Sequence, residues 1–472
     1  MGTIIGRKNE TAILHKAFNS KRSRLIAIYG RRRVGKTFLI REYYKNSIKF
    51  ELTGISQGTY RDQLKNFTKL IRKASTRFNK QDNPKDWLEA FEILEHYIDG
   101  LKGKLKKVIF IDEFPWLATK RSRFIGAFEN FWNTYATKRD DLVVVICGSA
   151  ASYMIKNIIN NKGGLYGRID YRINLKPFNL HETKLFLENR KIKYSQYDLI
   201  QLYMMIGGVA YYLDKIERGD SISANIDRLC FEESGELIGE FEFMYKSLFD
   251  NSDMHLKIVR TLAKTRKGIT RKDILEKTKL QSNQKVSTVI EELIESGFLS
   301  KYKAYKKKTF DSLFRLSDEY SYFYLSFIEK NMGQGKNTWK KLQQSRTFNI
   351  WSGFSFETLC LKHADQIKKG LNIEVVNSTN YSWFNDKAQI DLLIDRDDRI
   401  VNICEIKFYN APFNIDANYV KKLRIKMDEF RRATRTKKSF SLTMITTFGV
   451  NPNKHSNEIV DKELTMECLF KE

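Results

Sequence analysis

Gly30-Arg31-Arg32-Arg33-Val34-Gly35-Lys36-Thr37 fits G-x-x-x-x-G-K-[ST] at every fixed position. Two glycines let successive backbone N–H groups curl around a triphosphate, while Lys36 reaches the β- and γ-phosphates and Thr37 offers a hydroxyl to Mg²⁺. Phe38 closes this binding segment. Further along, Asp112 and Glu113 end an apolar run. Asp112 suits a Mg²⁺ ion held through its water shell, and Glu113 suits polarising the water that attacks the γ-phosphate. Ser149, at the tip of a third apolar run, either reports hydrolysis between the carboxylates and the γ-phosphate or caps the next helix. Arg168 supplies positive charge to the transferring phosphate, from its own subunit or from a neighbour, or is a surface arginine. The neighbour option makes the chain a homo-oligomer.

A second set of acids lies near the C-terminus. Asp391 and Glu405 are spaced to hold Mg²⁺ between them, Glu357 completes the metal shell, and Lys407 stabilises charge growing on a scissile phosphate. This is the donor set of a metal-dependent nuclease. The spacing D-x₁₃-E-x-K is loose, but apolar runs carry both halves and a basic segment follows: Lys421 to Lys438 holds nine basic residues against two acids.

The elements that position these groups follow from apolar patterning. Leu25 to Tyr29 reads as a buried strand feeding the phosphate loop, with a helix beginning at Lys36 whose positive end faces the same site. Ile48 to Leu52, Val108 to Ile111 and Leu142 to Cys147 are further strands. Ile13, Leu14, Ala17 and Phe18 set a helix ahead of the loop, placed near the nucleotide base. The polar break Asn79-Lys80-Gln81-Asp82 matches N-K-x-D, by which GTPases read guanine, but it precedes the acidic strand and no apolar strand leads into it. Position 115 is proline, so the D-x-x-G switch of GTPases is missing too. ATP is the expected nucleotide.

From Asp253 the pattern becomes helix, turn, helix, with Ser282 to Ile294 as a third helix and Ser300 to Leu316 as a hairpin. That is the order of a winged helix, whose wing carries five lysines and two tyrosines between Lys301 and Lys308. The wing either contacts nucleic acid or serves as a packing module. A polar linker, Asn331 to Lys336, leads to a last domain opening near Trp351, whose first helix aligns Gly353, Glu357, Leu361 and Ala364. Two strands, Gln389 to Ile394 and Ile400 to Lys407, carry the acids, and Glu405 and Lys407 face one side.

Composition narrows the class. The chain has 472 residues with a formal charge of +27, and a surplus of that size draws polyanions, nucleic acid first and DNA ahead of RNA. The longest near-apolar run, Leu142 to Ile155, is too short to cross a bilayer, and no charged-then-apolar leader precedes Ile4. Five scattered cysteines fit a reducing, cytoplasmic setting and supply no zinc pattern; Cys360 and His363 form a lone C-x-x-H, read as helix packing.

Together, Ile5-Gly6-Arg7, the triple-arginine loop, Ile111-Asp112-Glu113, Cys147-Gly148-Ser149, Leu165-Tyr166-Gly167-Arg168 and Gly207-Gly208-Val209-Ala210-Tyr211-Tyr212-Leu213 resemble the archaeal-type ATPases of the AAA-like P-loop group. The resemblance spans roughly the first half of the chain and implies a parallel sheet with the serine-tipped strand between the acidic strand and the loop strand, followed by a helical lid. The last domain resembles the restriction-endonuclease-like fold with its PD-(D/E)XK signature, with Gln389-Ile390-Asp391 in place of the leading proline-aspartate. The expected fold is a multidomain α/β chain: ATPase core at 1–175, lid at 176–250, winged helix at 251–335 and nuclease-like domain at 345–472. The expected function is ATP hydrolysis coupled to acting on DNA; the alternative is an ATP-gated DNA-binding or regulatory module that does not cut.

Overall fold

The structure is a computed structural model that describes residues 3–472 apart from 76–82, 104, 120, 150–152, 160–164, 166, 250, 266–267 and 306–311. The N-K-x-D tetrapeptide, Tyr166 and the lysines at 306–308 therefore lie outside the described residues. The chain divides into two compact units, Met1–Pro177 and Phe178–Glu472.

The first unit is built on five parallel strands, β1 (Arg24–Tyr29), β2 (Ile48–Thr53), β3 (Lys107–Asp112), β4 (Leu142–Gly148) and β5 (Tyr171–Asn174), in the order β2-β3-β4-β1-β5. The serine-tipped strand β4 thus separates acidic β3 from loop strand β1. Every residue of β3 and β4 is buried, as expected of strands covered on both faces. Their side chains alternate between two cores: Ile109, Ile111, Val144 and Ile146 enter one, and Val108, Phe110, Val143 and Val145 the other. The helix Tyr60–Ala74, started by a reciprocal Thr59–Asp62 cap, and the helix Trp87–Asp99 cover the first face with Phe67, Trp87, Phe91 and Leu94.

The second unit begins with helices, among them Leu180–Asn189 and Gln196–Ile206. Three more, Asp253–Ala263, Arg271–Thr278 and Gln284–Glu295, bury Ile258, Ile274, Val289 and Leu293 and lead into the antiparallel pair β6 (Leu299–Tyr302) and β7 (Leu313–Leu316). The chain beyond β6 is stitched to a different sheet: Tyr305 N–H donates to the Ser382 carbonyl at 3.1 Å and Ser382 N–H to that of Lys303 at 3.2 Å. Tyr305 is buried against Trp383 and Phe430. Within the described part of the hairpin, Ala304 and Tyr305 pack while Lys301 and Lys303 stay exposed.

That sheet runs β12-β11-β10-β9-β8, with β8 (Ser378–Phe384), β9 (Gln389–Arg396) and β10 (Ile400–Lys407) antiparallel, and β11 (Ser439–Thr446) and β12 (Lys462–Leu464) joined parallel to β10. The helix carrying Glu357 starts at Arg346, five residues before the expected opening at Trp351. Ser345 accounts for the difference, since its hydroxyl caps the helix by accepting from Phe348 N–H. The same helix ends at Lys362, so Ala364 opens a separate helix and does not share the flank of Glu357. His363 at the break is buried: its Nε2 accepts from Leu180 N–H and its Nδ1 donates to the Leu359 carbonyl. With Cys360 also buried, this C-x-x-H pair does pack a helix.

Candidate functional site

The phosphate loop follows β1 directly. Gly30 (φ 137°) lies so close to the next segment that a Cβ would come within 2.3 Å of the Leu175 carbonyl oxygen, and Gly35 (φ 94°) adopts a backbone shape that disfavours other residues. Lys36 Nζ donates to the Gly30 and Arg31 carbonyls, both at 2.9 Å, so the ammonium lies within the curl of the loop. Burial lowers its pKa, while the nearby Cys147, Glu113 and Asp112 work the other way. Val34 and Arg31 are buried, Arg32 and Arg33 are half-buried, and Phe38 is exposed.

Arg7 adds a brace that motif reading missed. Its guanidinium donates to the Val34 carbonyl of the loop at 3.2 Å and to that of Lys176 at 2.8 Å. Only its place in Ile5-Gly6-Arg7 hinted at this; nothing in the spacing did.

The adjacent acids of β3 diverge into separate tasks. Asp112 accepts from the Thr37 hydroxyl at 2.8 Å and from Glu113 N–H at 2.9 Å. A hydroxyl and a carboxylate in contact, at the end of a phosphate loop, fit a hard oxygen-seeking cation such as Mg²⁺. Glu113 sits in the left-handed region (φ 47°), a costly backbone for a non-glycine residue, and its Oε1 accepts from the Ser149 hydroxyl at 2.9 Å. Ser149 N–H approaches Oε2 at 3.4 Å. Ser149 therefore meets the carboxylate, as its strand-tip position predicts. Arg168 does not meet the loop. It is exposed and precedes β5, whose first residue pairs with Ile26, whereas the loop leaves from the far end of β1. The option in which Arg168 serves its own subunit's γ-phosphate is corrected by this placement.

In the second unit Glu357, Asp391, Glu405 and Lys407 converge on one open cleft of about 420 Å³, which Lys387, Lys422 and Lys426 also line. Convergence does not make these residues a metal shell. Among the described residues, no three His, Cys, Asp or Glu side chains group closely enough to hold a metal ion. Each acid instead faces the chain's own cations. Glu405 pairs with Lys426 at 2.6 Å and Lys407 at 3.0 Å and accepts from the Tyr419 hydroxyl at 2.5 Å. Burial alone would raise the Glu405 pKa, but the two lysines and the hydrogen bonds prevail and hold it at about 2. Asp391 accepts from Arg315 at 3.0 Å and from the Gln389 amide at 2.8 Å. Glu357 lies 3.6 Å from Arg315, and burial, reinforced by Asp391, pushes its pKa up to about 8. The expected metal set at Glu357, Asp391 and Glu405 is corrected accordingly: the donors do not fit a metal in this arrangement. Sequence reasoning missed Arg315, Tyr419 and Lys426. Only Lys426 carried a signal, as part of the basic segment.

A parallel sheet with a phosphate loop, an acidic strand and a serine-tipped strand between them defines a P-loop ATPase. Comparison with known proteins agrees. Residues 5–216 match the ATPase domain predominantly from Archaea, and the chain carries a domain of that archaeal type. The uncharacterized protein MJECL04 of Methanocaldococcus jannaschii is 23% identical over 420 residues, covering 86% of this chain and 87% of its own. The uncharacterized ATP-binding protein MJ0423 of the same organism is 45% identical over 43 residues, 9% of this chain and 73% of its own. Among solved structures, the Walker-type ATPase PABY2304 of Pyrococcus abyssi aligns with a TM-score of 0.48 and 16% identity over 68% of this chain and 96% of that one. ORC2 of Aeropyrum pernix, in ADPNP–ADP complexes, aligns at 0.43 and 15% identity over 72% and 95%. No described helix is long and apolar enough to cross a membrane.

Proposed function

We propose that the chain hydrolyses ATP with Mg²⁺ and binds nucleic acid, DNA in preference to RNA, through the lysine-lined cleft of its second unit. The carrying observation is the pairing of Thr37 with Asp112 and of Ser149 with Glu113 beside the phosphate loop. On this reading Gly30 to Phe38 cradle the triphosphate, and Lys36 turns from the loop carbonyls to the β- and γ-phosphates. Thr37 and Asp112 hold the metal, which supplies charge neutralisation to the phosphates. Glu113 orients and deprotonates the attacking water, and the Ser149 hydroxyl aims the Glu113 carboxylate at it. Arg168 then acts only across subunits of a homo-oligomer.

The segment 251–335 is read as a winged helix and 345–472 as a restriction-endonuclease-like domain, supported by the helix and hairpin order and by the mixed sheet bearing Asp391 and Glu405. Of the two sequence-based functions, the ion-paired acids favour the DNA-binding module over the cutter in this arrangement. Purified full-length protein with Mg²⁺ should release phosphate from ATP, and Lys36→Ala should reduce the rate by about 100-fold or more. Turnover that survives this change ends the ATPase assignment. Short duplex DNA should bind with an affinity that falls steeply with added salt, and should bind more weakly to Lys387→Glu/Lys422→Glu. Binding unaffected by salt or by these charge reversals removes the cleft from the proposal.

A further inference from the structure

Flat apolar groups stand in the open beside the lysines of the cleft. β10 delivers Glu405 and Lys407 to the cleft and ends there; two residues on, Tyr409 is 51% exposed, and Phe448, just past the end of neighbouring β11, is 37% exposed. The two chain segments are tied together, since Tyr409 N–H donates to the Thr447 hydroxyl at 3.0 Å and that hydroxyl donates to the Tyr409 carbonyl.

A file of rings joins Tyr409 to the cleft. Tyr409 meets Phe413 edge-on at 5.2 Å between centroids, Phe413 meets Tyr419 edge-on at 5.1 Å, and the Tyr419 hydroxyl bonds Glu405. Phe448 leans on Tyr197, which itself stacks on Phe408 with the two planes 9° apart. Both exposed rings are therefore braced by other rings while part of each stays open to solvent. Ile425, which lines the cleft itself, is also 51% exposed.

Braced aromatic rings beside lysines suit a polyanion that carries flat groups: the ammonium groups take phosphates and the rings take base faces. Only an unpaired base offers such a face. In a duplex the faces are stacked on neighbouring pairs, and a protein reaches base edges in the grooves. The cleft volume of about 420 Å³ also suits one small organic group at a time.

We propose that the cleft takes single-stranded DNA, with phosphates on Lys387 and Lys422 and unpaired bases stacked on Tyr409 and Phe448. This rests on the nucleic-acid reading above and narrows it to one form of DNA.

The test is fluorescence anisotropy of the nucleotide-free full-length protein with a labelled oligothymidylate and with a labelled duplex of equal length, at several salt concentrations. Wild type should bind the single strand about tenfold more tightly than the duplex. Tyr409→Ala should weaken single-strand binding by about tenfold, Phe448→Ala should act in the same direction, and Tyr409→Trp, which keeps a flat face, should retain it. Because a ring displaces no counterions, Tyr409→Ala should leave the salt dependence as steep as in wild type, whereas Lys422→Glu should flatten it. Should Tyr409→Ala not fold, Tyr409→Leu keeps an apolar contact with Phe413, lacks the flat face and carries the same comparison. A duplex bound as tightly as the single strand, or ring variants that bind the single strand like wild type, overturns the stacking role and leaves the lysine-based reading standing. Wild type that binds neither form ends both.

Discussion

The two acidic sites use the same residue types and hold them by opposite means. In the first unit, Asp112 and Glu113 are met by neutral hydroxyls, those of Thr37 and Ser149. In the second, Asp391, Glu357 and Glu405 face Arg315, Lys407 and Lys426. A hydroxyl leaves a carboxylate's charge available to an incoming cation or water, whereas a paired cation consumes it. Sequence spacing records which acids are near each other, but their readiness depends on what occupies the remaining space.

The sharpest way to break this comparison is to remove one acid from each site. Glu113→Gln should lower ATP turnover by about 100-fold or more with ATP binding retained, because it removes the base and keeps the shape. Steady-state phosphate release and nucleotide titration measure this. Its stability should change little. Glu405→Ala should do the reverse, leaving turnover intact but costing about 3 kcal/mol in denaturant unfolding, since Lys407 and Lys426 lose their buried partner. Equal stability losses in both variants would mean that the two sites are built alike.

Acid should separate the units as well as the sites. His363 accepts a hydrogen bond from Leu180 N–H, so its neutral form is the one that fits, and burial lowers its pKa to about 4 from an ordinary 6.5. The unfolded chain binds more protons between these values. Stability present above pH 6.5 is therefore lost as the pH falls toward 4, by about 3 kcal/mol in all. Hydrogen exchange of the segment around Leu180 and Leu359 should accelerate over that range, and His363→Gln should flatten the dependence.

What the sequence made legible was local. The phosphate loop has fixed spacing within eight residues, and the apolar runs before Asp112 and Ser149 needed no partner to be recognised as strands. The sheet order came with the family resemblance. The start of the Glu357 helix was also written locally, in Ser345 three residues before Phe348, but Trp351 drew the boundary inward. Arg7, Arg315 and Tyr419 were beyond reach because their contacts are made by folding: Arg315 meets Asp391 across 76 positions, and no periodicity encodes such a meeting. The option in which Arg168 serves its own subunit failed for a related reason, since parallel pairing of β5 with β1 sends it to the end of the sheet away from the phosphate loop.

Ser149 offers the finest test of the hydroxyl-held site. Its hydroxyl restrains Glu113, whose backbone is already in an unfavourable left-handed conformation, so two constraints fix one carboxylate. If the hydroxyl serves to aim Glu113 at the attacking water, Ser149→Ala should lower turnover by about tenfold while ATP affinity stays put, since positioning acts on the reacting geometry and not on phosphate binding. Ser149→Thr, which keeps the hydroxyl, should recover most of the rate. Were the hydroxyl only a helix cap, the alanine variant would lose stability and the turnover of its folded fraction would match wild type. Comparing turnover per folded molecule in Ser149→Ala and Ser149→Thr distinguishes aiming from capping, and an unchanged rate in the alanine variant removes Ser149 from the mechanism.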